Sequence, residues 1–287
     1  MLSETQNDLY FSRMAASLGD KTTIVEYLKN GNVLDVGAGG GDFSNSLQTL
    51  GYKTIALDGS PTAIEKINTN YPHIPTVLSS VHNAINEFPV NSFNNIVCSS
   101  ILHEVFSYPD NNYSEITAID NVIHDFYQLL EPNGHLIIRD GVIPENWDNT
   151  VNIEFINDNY NDGMDFADYY KENCPFYGDY LNKRSVHLDK IGDNILQGNY
   201  SSIMEFLYTY TWGWNSAPRE SQEIYGIMTM SDYHDFLNTH GFTITYSNSY
   251  LQQGYYDNLK DKVRIFDNED NNIAFPDSNM IIVAKKI

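Results

Sequence analysis

Short apolar runs punctuate the first half of the chain, and they end at glycines, carboxylates or turns. Asn32–Val36 runs into glycines and Lys53–Leu57 into Asp58; Thr76–Leu78, Ile96–Ser99 and His135–Arg139 follow. Their near-continuous apolar character is that of strands buried on both faces. The intervals carry helical patterns over Asp42–Leu50, Pro61–Asn70 and Ile116–Leu130. Ser60-Pro61 marks a helix start, a capping hydroxyl followed by proline at the first helical position. Pro132-Asn133-Gly134 marks a turn before the fifth strand. Strands alternating with helices predict an α/β fold whose parallel sheet is covered by helices on both faces.

The flanks read differently. Tyr10–Lys29 is helical in pattern, with Met14, Leu18, Val25 and Leu28 on an intermittent apolar face. Glu145–Met230 lacks regular strand spacing and is dense in aromatics, including Phe155, Phe166, Tyr170, Phe206, Tyr210 and Trp214. A structureless loop of that length is foreign to a compact domain, so the segment reads as a mostly helical insertion. Met230–His240 predicts a helix with Ser231 as its N-cap and Gly241 just past its end. Thr243–Ser249 alternates like a strand, Lys262–Phe266 and Ile273–Phe275 read as a hairpin, and Met280–Lys285 is a last apolar strand. The division expected is a helical segment over 1–30, a core over 31–144, the insertion over 145–230 and a completion of the core sheet over 231–287.

The composition narrows the function. With 41% hydrophobic and 13% aromatic residues among 287, the chain has the material for a core, which excludes wholesale disorder. Sixteen Lys and Arg face 38 Asp and Glu, a net charge of −22, and the few cations are scattered. That balance argues against a nucleic-acid partner, whose phosphates need clustered basic residues. Two cysteines, Cys98 and Cys174, exclude a disulfide framework or a thiolate metal cage and point to a reducing, cytoplasmic setting. No apolar run approaches the length of a membrane helix, and the polar, acidic Met1–Asp8 is no secretion signal.

The most informative segment is Val33-Leu34-Asp35-Val36-Gly37-Ala38-Gly39-Gly40-Gly41-Asp42-Phe43. A strand, a glycine turn and a helix start in succession form a ligand cradle, because glycine lets the backbone approach closely and the helix offers free N–H groups. The dinucleotide fingerprint fails here: counted from Gly37, its third glycine falls on Asp42, and counted from Gly39 on Ser44. No phosphate-loop Lys followed by Ser or Thr occurs. An Asp-x-Gly-x-Gly-x-Gly run with its acidic residue suits a cationic ligand better than a pyrophosphate.

This run resembles motif I of the class I S-adenosylmethionine-dependent methyltransferases. Three later stretches resemble that family in the same order. Ile55-Ala56-Leu57-Asp58-Gly59-Ser60-Pro61 places Asp58 where the family holds the ribose, and an acidic residue about 20 positions after the first glycine is the expected hydroxyl acceptor. Phe88–Val97 is similar to the lead into strand four, with Asn94 where the family usually has Asp. Leu129–Ile138 is similar to the turn into strand five. The resemblance covers residues 33–140, extends weakly to 230–287 and leaves out 145–230. It implies a Rossmann-like, doubly wound seven-stranded sheet, mostly parallel with an antiparallel C-terminal strand, carrying the helical aromatic-rich insertion. It implies S-adenosyl-L-methionine as cofactor, bound by Asp35, Gly37, Ala38, Gly39, Gly41, Asp58, Gly59, Ser60 and Ser99, with His82 or Asn83 toward the adenine and Arg13 toward the carboxylate.

The acceptor side of such a fold faces the ends of strands four and five, here Cys98–Tyr108 and Arg139-Asp140-Gly141. Ser99-Ser100-Ile101-Leu102 lacks the Pro-Pro-aromatic signature of amino-methylating DNA enzymes. It also lacks the strand-four Asp of metal-dependent catechol-type enzymes, and no metal is expected. His103 and Glu104 are the catalytic candidates: the imidazole as base, the carboxylate as its orienter or as a binder of cationic substrate. Arg139 and Asp140 read as an ion pair. The expected reaction is methyl transfer to oxygen or nitrogen of a small molecule, with no membrane partner. An RNA- or protein-modifying enzyme and a non-catalytic cofactor-binding protein are the alternatives.

Overall fold

A computed structural model describes residues 18–109, 114–157, 160–178 and 186–287. In chain order the main strands and helices are β1 (Asn32–Val36), α1 (Asp42–Thr49), β2 (Lys53–Asp58), α2 (Pro61–Asn70), β3 (Thr76–Leu78), β4 (Phe93–Ser99), α3 (Leu102–Ser107), α4 (Glu115–Leu129) and β5 (Leu130–Gly141). Then come β6 (Thr150–Phe155), α5 (Tyr160–Asn173), β7 (Asp189–Lys190), β8 (Ile195–Asn199), α6 (Tyr200–Trp212), α7 (Met230–Thr239), β9 (Phe242–Tyr250), β10 (Val263–Phe266) and β11 (Asn279–Lys286). The chain divides into two compact units. The first holds the residues up to Asp140 with Tyr233–Asn248 and Ile281–Ile287; the second holds Gly141–Asp232 and Ser249–Met280.

The first unit carries the sheet that the sequence predicts. Its seven strands run in the order β3-β2-β1-β4-β5-β11-β9, and β3 to β5 pair in parallel. Val33, Leu34 and Val36 of β1, Ile96–Cys98 of β4 and Leu136–Ile138 of β5 are all buried, as strands covered on both faces require. α4 buries Ala118, Ile119, Val122, Ile123, Phe126 and Leu129, a stripe at helical spacing. At the far edge the last strand runs antiparallel to β9: Ile287 donates to the Gly241 carbonyl at 3.4 Å and the Thr245 hydroxyl to Val283 at 3.1 Å.

Local chemistry explains the boundaries. Ser60 Oγ accepts the Ala63 N–H at 3.3 Å, with Pro61 at the first helical position. Before β1 the expected long helix is, among the described residues, one α turn (Leu18–Lys21) and a 3-10 stretch (Thr22–Tyr27). The β-branched run Thr22-Thr23-Ile24-Val25 accounts for the tightening, since such side chains lose rotamer freedom in an α-helix. The start of α7 is capped by Thr229, not Ser231. Thr229 Oγ1 accepts from Asp232 N at 3.0 Å and the Asp232 carboxylate accepts from Thr229 N at 3.2 Å, while the Ser231 hydroxyl donates to Glu145.

The second unit corrects the helical reading of 145–230 in part. Tyr160–Asn173 and Tyr200–Trp212 are helices, but β6, β7 and β8 join β10 in a four-stranded antiparallel sheet, order β10-β6-β8-β7. Lys262–Phe266 therefore pairs with β6, and its expected hairpin partner Ile273–Phe275 forms no strand; only a bridge between Phe266 and Asn272 and a bond from Ile273 N to Ile265 O remain. The stretch between β9 and β11, residues 251–278, thus groups with the former insertion and not with the core sheet. The aromatics form a satellite core: Phe166 meets Tyr210 at 5.3 Å and Trp214 at 4.9 Å, and Phe155 meets Tyr210 at 5.6 Å. Asp162 accepts from Tyr210 Oη and Trp214 Nε1.

Two asparagines of β4 fasten Lys29 and the first residue of β1. Asn95, fully buried, accepts the Lys29 N–H and donates to the Lys29 carbonyl. Asn94 Oδ1 accepts the Asn32 N–H at 2.8 Å, as an Asp would, but its amide also donates to Glu131 Oε2 at 2.7 Å, which an Asp cannot do. Asn94→Asp would set two carboxylates against each other. We expect a loss of about 1–2 kcal/mol at pH 7 in urea unfolding, recovered below about pH 4 and in the double variant with Glu131→Gln; an unchanged single variant would show that the pair contributes nothing.

Candidate active site

Strand register builds the site. Val36 lies opposite Leu57 on one side and Cys98 on the other, and Cys98 opposite Ile138. The next residues, Asp58, Gly37, Ser99 and Arg139, therefore stand in one row at the carboxyl ends of β2, β1, β4 and β5. The row straddles β1, where the winding of the sheet reverses and where ligands of such folds sit.

The glycine turn is shaped by its backbone. Gly37, Gly39 and Gly41 have φ of +68°, +57° and +85°, a region that disfavours any side chain. A β-carbon on Gly37 would fall 2.6 Å from Ile101 Cδ1, so the turn packs closely against the corner after β4. A β-carbon on Gly39 would meet nothing within 4 Å, so that side of the turn is open. Asp58 fixes the turn from β2: Oδ2 accepts the Gly39 N–H and Oδ1 the Ser60 N–H, both at 2.8 Å. Burial raises the Asp58 carboxyl above its ordinary range, and these two bonds draw it part of the way back. Gly37 and Ala38 N–H donate to the Leu57 carbonyl, completing the seam.

Beneath the turn, Asp35 is buried and accepts the Ser44 hydroxyl at 2.5 Å. Lys21, which the sequence reading left inside a helical stretch, is also buried here. Burial lowers its ammonium, against the nearby charges of Asp35, Asp42 and Glu104. Arg13, expected in a neighbouring role, lies outside the described residues. Asp42, where the dinucleotide fingerprint wants glycine, accepts the Tyr71 hydroxyl at 2.6 Å and pushes that phenol up to about 12. A carboxylate thus stands at the start of α1, a poor neighbour for phosphate.

The ends of β4 and β5 are equally dense. Ser99 is buried, and its hydroxyl has no hydrogen-bond partner among the described residues. Ser100 sits at φ +60°, its hydroxyl accepting from Arg139 Nη1 at 3.0 Å, and this left-handed residue turns the chain into α3. His103 is buried with Nδ1 2.6 Å from Asp140 Oδ1. The carboxylate bonded to the imidazole is therefore that of Asp140. Glu104, the neighbour expected to orient the ring, is half-buried and lies in the field of Lys21. Burial pushes the Cys98 thiol well up, with Asp140 and Asp35 adding to it.

The remaining candidates lie at the β2–β3 side. Gly59 is exposed, and Ser60 acts as the cap of α2. His82 and Asn83 follow β3 on a 3-10 turn started by the Ser80 hydroxyl, His82 half-buried and Asn83 exposed.

A family model described as a methyltransferase domain matches residues 10–184. The chain belongs to the methyltransferase domain family. No curated protein matches this methyltransferase. Similar solved structures include a SAM-dependent methyltransferase from Methanosarcina mazei, 16% identical, covering 92% of this chain and 97% of that one at a TM-score of 0.52. Another, a SAM-dependent methyltransferase from Archaeoglobus fulgidus, is 12% identical and covers 98% and 94% at 0.52. They share the fold of this methyltransferase.

The residues present fit such a donor on this structure's own terms. The turn is open above Gly39, the Ser99 hydroxyl is buried without a partner, and the nearby carboxylates favour a cationic ligand without phosphate. Sequence reasoning missed Lys21 and Ser44. Neither lies in a periodic pattern that announces it.

Asp35 supplies a test. Its carboxyl is pushed up to about 6, by burial first and by Asp58 in addition, against the Ser44 hydrogen bond and Lys21. A raised carboxyl means that the folded chain holds this proton more tightly than the unfolded one. Its contribution is complete below about pH 4 and is lost as the pH rises to about 6. Asp35→Asn cannot ionise, so its stability relative to the native protein should improve by about 3 kcal/mol between pH 4 and pH 7 in urea unfolding; a flat difference would contradict the burial argument.

Proposed function

We propose that this methyltransferase uses S-adenosyl-L-methionine to methylate an oxygen or nitrogen of a small molecule. The observation that carries the reading is the turn of Gly37–Gly41 held open under Asp58, at the reversal point of the sheet. Asp58 keeps lone pairs for the ribose hydroxyls, Ser99 stands in the same row of strand ends, and His82 or Asn83 takes the adenine side. When bound, the donor supplies a methyl group activated by a positively charged sulfur. Asp35 and Asp58 favour that positive charge in a crevice of low dielectric.

The protein's own chemical work is then proton removal and positioning. His103 takes the proton from the acceptor's O–H or N–H, a role suited to an imidazole near neutrality. Glu104 stands one residue on, and Lys21 offsets the surplus of negative charge around it. The burial of His103 and Ser99 keeps water from this end. The net charge of −22 supports a small-molecule acceptor over RNA.

S-adenosylhomocysteine should stabilise the protein in a thermal-shift assay and NAD should not. Asp58→Asn should weaken S-adenosylhomocysteine binding by about 10–100-fold, the range for a charge-assisted hydrogen bond lost. Methyl-labelled S-adenosylmethionine incubated with a metabolite extract should pass label to a small molecule. Binding without any transfer would leave a cofactor-binding protein and refute the enzyme.

A further inference from the structure

The ends of the strands away from the glycine turn carry a cleft that no role assigned so far requires. Its volume is about 800 Å³, inside the range of about 300–1,000 Å³ that small-molecule sites occupy. Thr54 lines it near the start of β2, four residues and about 13 Å along the strand from Asp58. Tyr52, Phe88 and Phe93 supply aromatic walls, Phe88 meeting Phe93 edge to face at 5.0 Å. Thr54 is 1% exposed, and its hydroxyl has no hydrogen-bond partner among the described residues. A buried hydroxyl left unmade costs stability, and valine, with the same shape, fills a strand position without that cost. Lys53 lines the same cleft, exposed and with no ion-pair partner among the described residues.

We propose that this cleft is a second binding site, for a small aromatic acid. The ring lies against Tyr52 and Phe88, a polar group on the ring meets the Thr54 hydroxyl, and the carboxylate meets the Lys53 ammonium. The cleft has a sense of direction that suits such a ligand. Glu131 lines its far end at β5, three strand spacings or about 14 Å from β2, and its carboxylate already accepts the Asn94 amide. The cationic end is therefore the one at β2, beside the orphaned hydroxyl. This site lies at the opposite strand ends from the donor crevice, so its occupancy does not depend on what that crevice binds.

Titration of the full chain with 4-hydroxybenzoate and indole-3-acetate, followed by amide NMR, tests the site. Their uncharged counterparts 4-hydroxybenzamide and indole-3-acetamide are titrated in parallel. We expect at least one acid to shift the amides of Lys53, Thr54 and Phe88 saturably at millimolar concentration, and its amide counterpart to bind about fivefold more weakly. Lys53→Gln should abolish that difference. Thr54→Val should weaken acid and amide alike by about fivefold while melting no lower than the native protein, so that lost binding is not lost folding. Added S-adenosylhomocysteine should leave these affinities within about twofold, since the two sites share no group. No saturable shift at Thr54 with either acid would overturn the proposal. So would equal binding of acid and amide to the native protein, or native affinity in Thr54→Val. Shifts confined to Gly37–Gly41 would place the acid in the donor crevice and overturn it as well.

Discussion

One carboxylate organises the first unit. Asp58, at the end of β2, accepts the N–H of Gly39 across the seam and that of Ser60 beside it. It thereby holds the glycine turn against β2 and positions the start of α2 at the same time. Without an anion at this point the turn would have to satisfy its N–H groups elsewhere, and the left-handed glycines would lose the partner that selects their conformation. The cost is a carboxylate kept partly out of water, visible in its raised proton affinity. A ligand with hydroxyls to donate and a positive charge relieves that cost, which links the stability of the apo protein to the chemistry proposed for it.

The ends of β4 and β5 repeat the arrangement from the other side of β1. Asp140 gathers the N–H groups of the corner after β4 as Asp58 gathers those around the glycine turn, and Gly37 touches Ile101 of that corner. Cradle and candidate base are thus two anion-fastened turns that share a side-chain contact. Both belong to the first unit and are set by the register of parallel strands, so their spacing is a property of the sheet.

Much of this was legible in the sequence because local signals and tertiary demands agree there. The strands of the core are continuous apolar runs that end at glycine or Asp, and the Ser60-Pro61 start reproduces its α2 helix residue for residue. The order of motifs gave the cradle and Asp58. What escaped depended on long-range pairing. β6 alternates cleanly, with Val151, Ile153 and Phe155 buried, yet its partner β8 is interrupted by Gly198, where the His187 carbonyl lies 2.7 Å from any β-carbon. With no regular strand spacing over so long a stretch, the segment then reads as mostly helical. β10 resembled half of a hairpin because its true partner lies more than a hundred residues earlier. Lys21 near Asp35 and the bond between His103 and Asp140 join residues far apart in sequence and leave no trace in spacing. Asn94 looked like a departure from the family pattern until Glu131 supplied its reason.

The central claim is that the open side of the glycine turn, under Asp58, is the seat of the methyl donor. A crystal structure of the protein with S-adenosylhomocysteine tests it most directly. The account expects the ligand across the carboxyl ends of β1 and β2, with its ribose hydroxyls on the Asp58 carboxylate and its sulfur toward Ser99 and His103. Ligand density anywhere else, or a ribose held by a group other than Asp58, would contradict it.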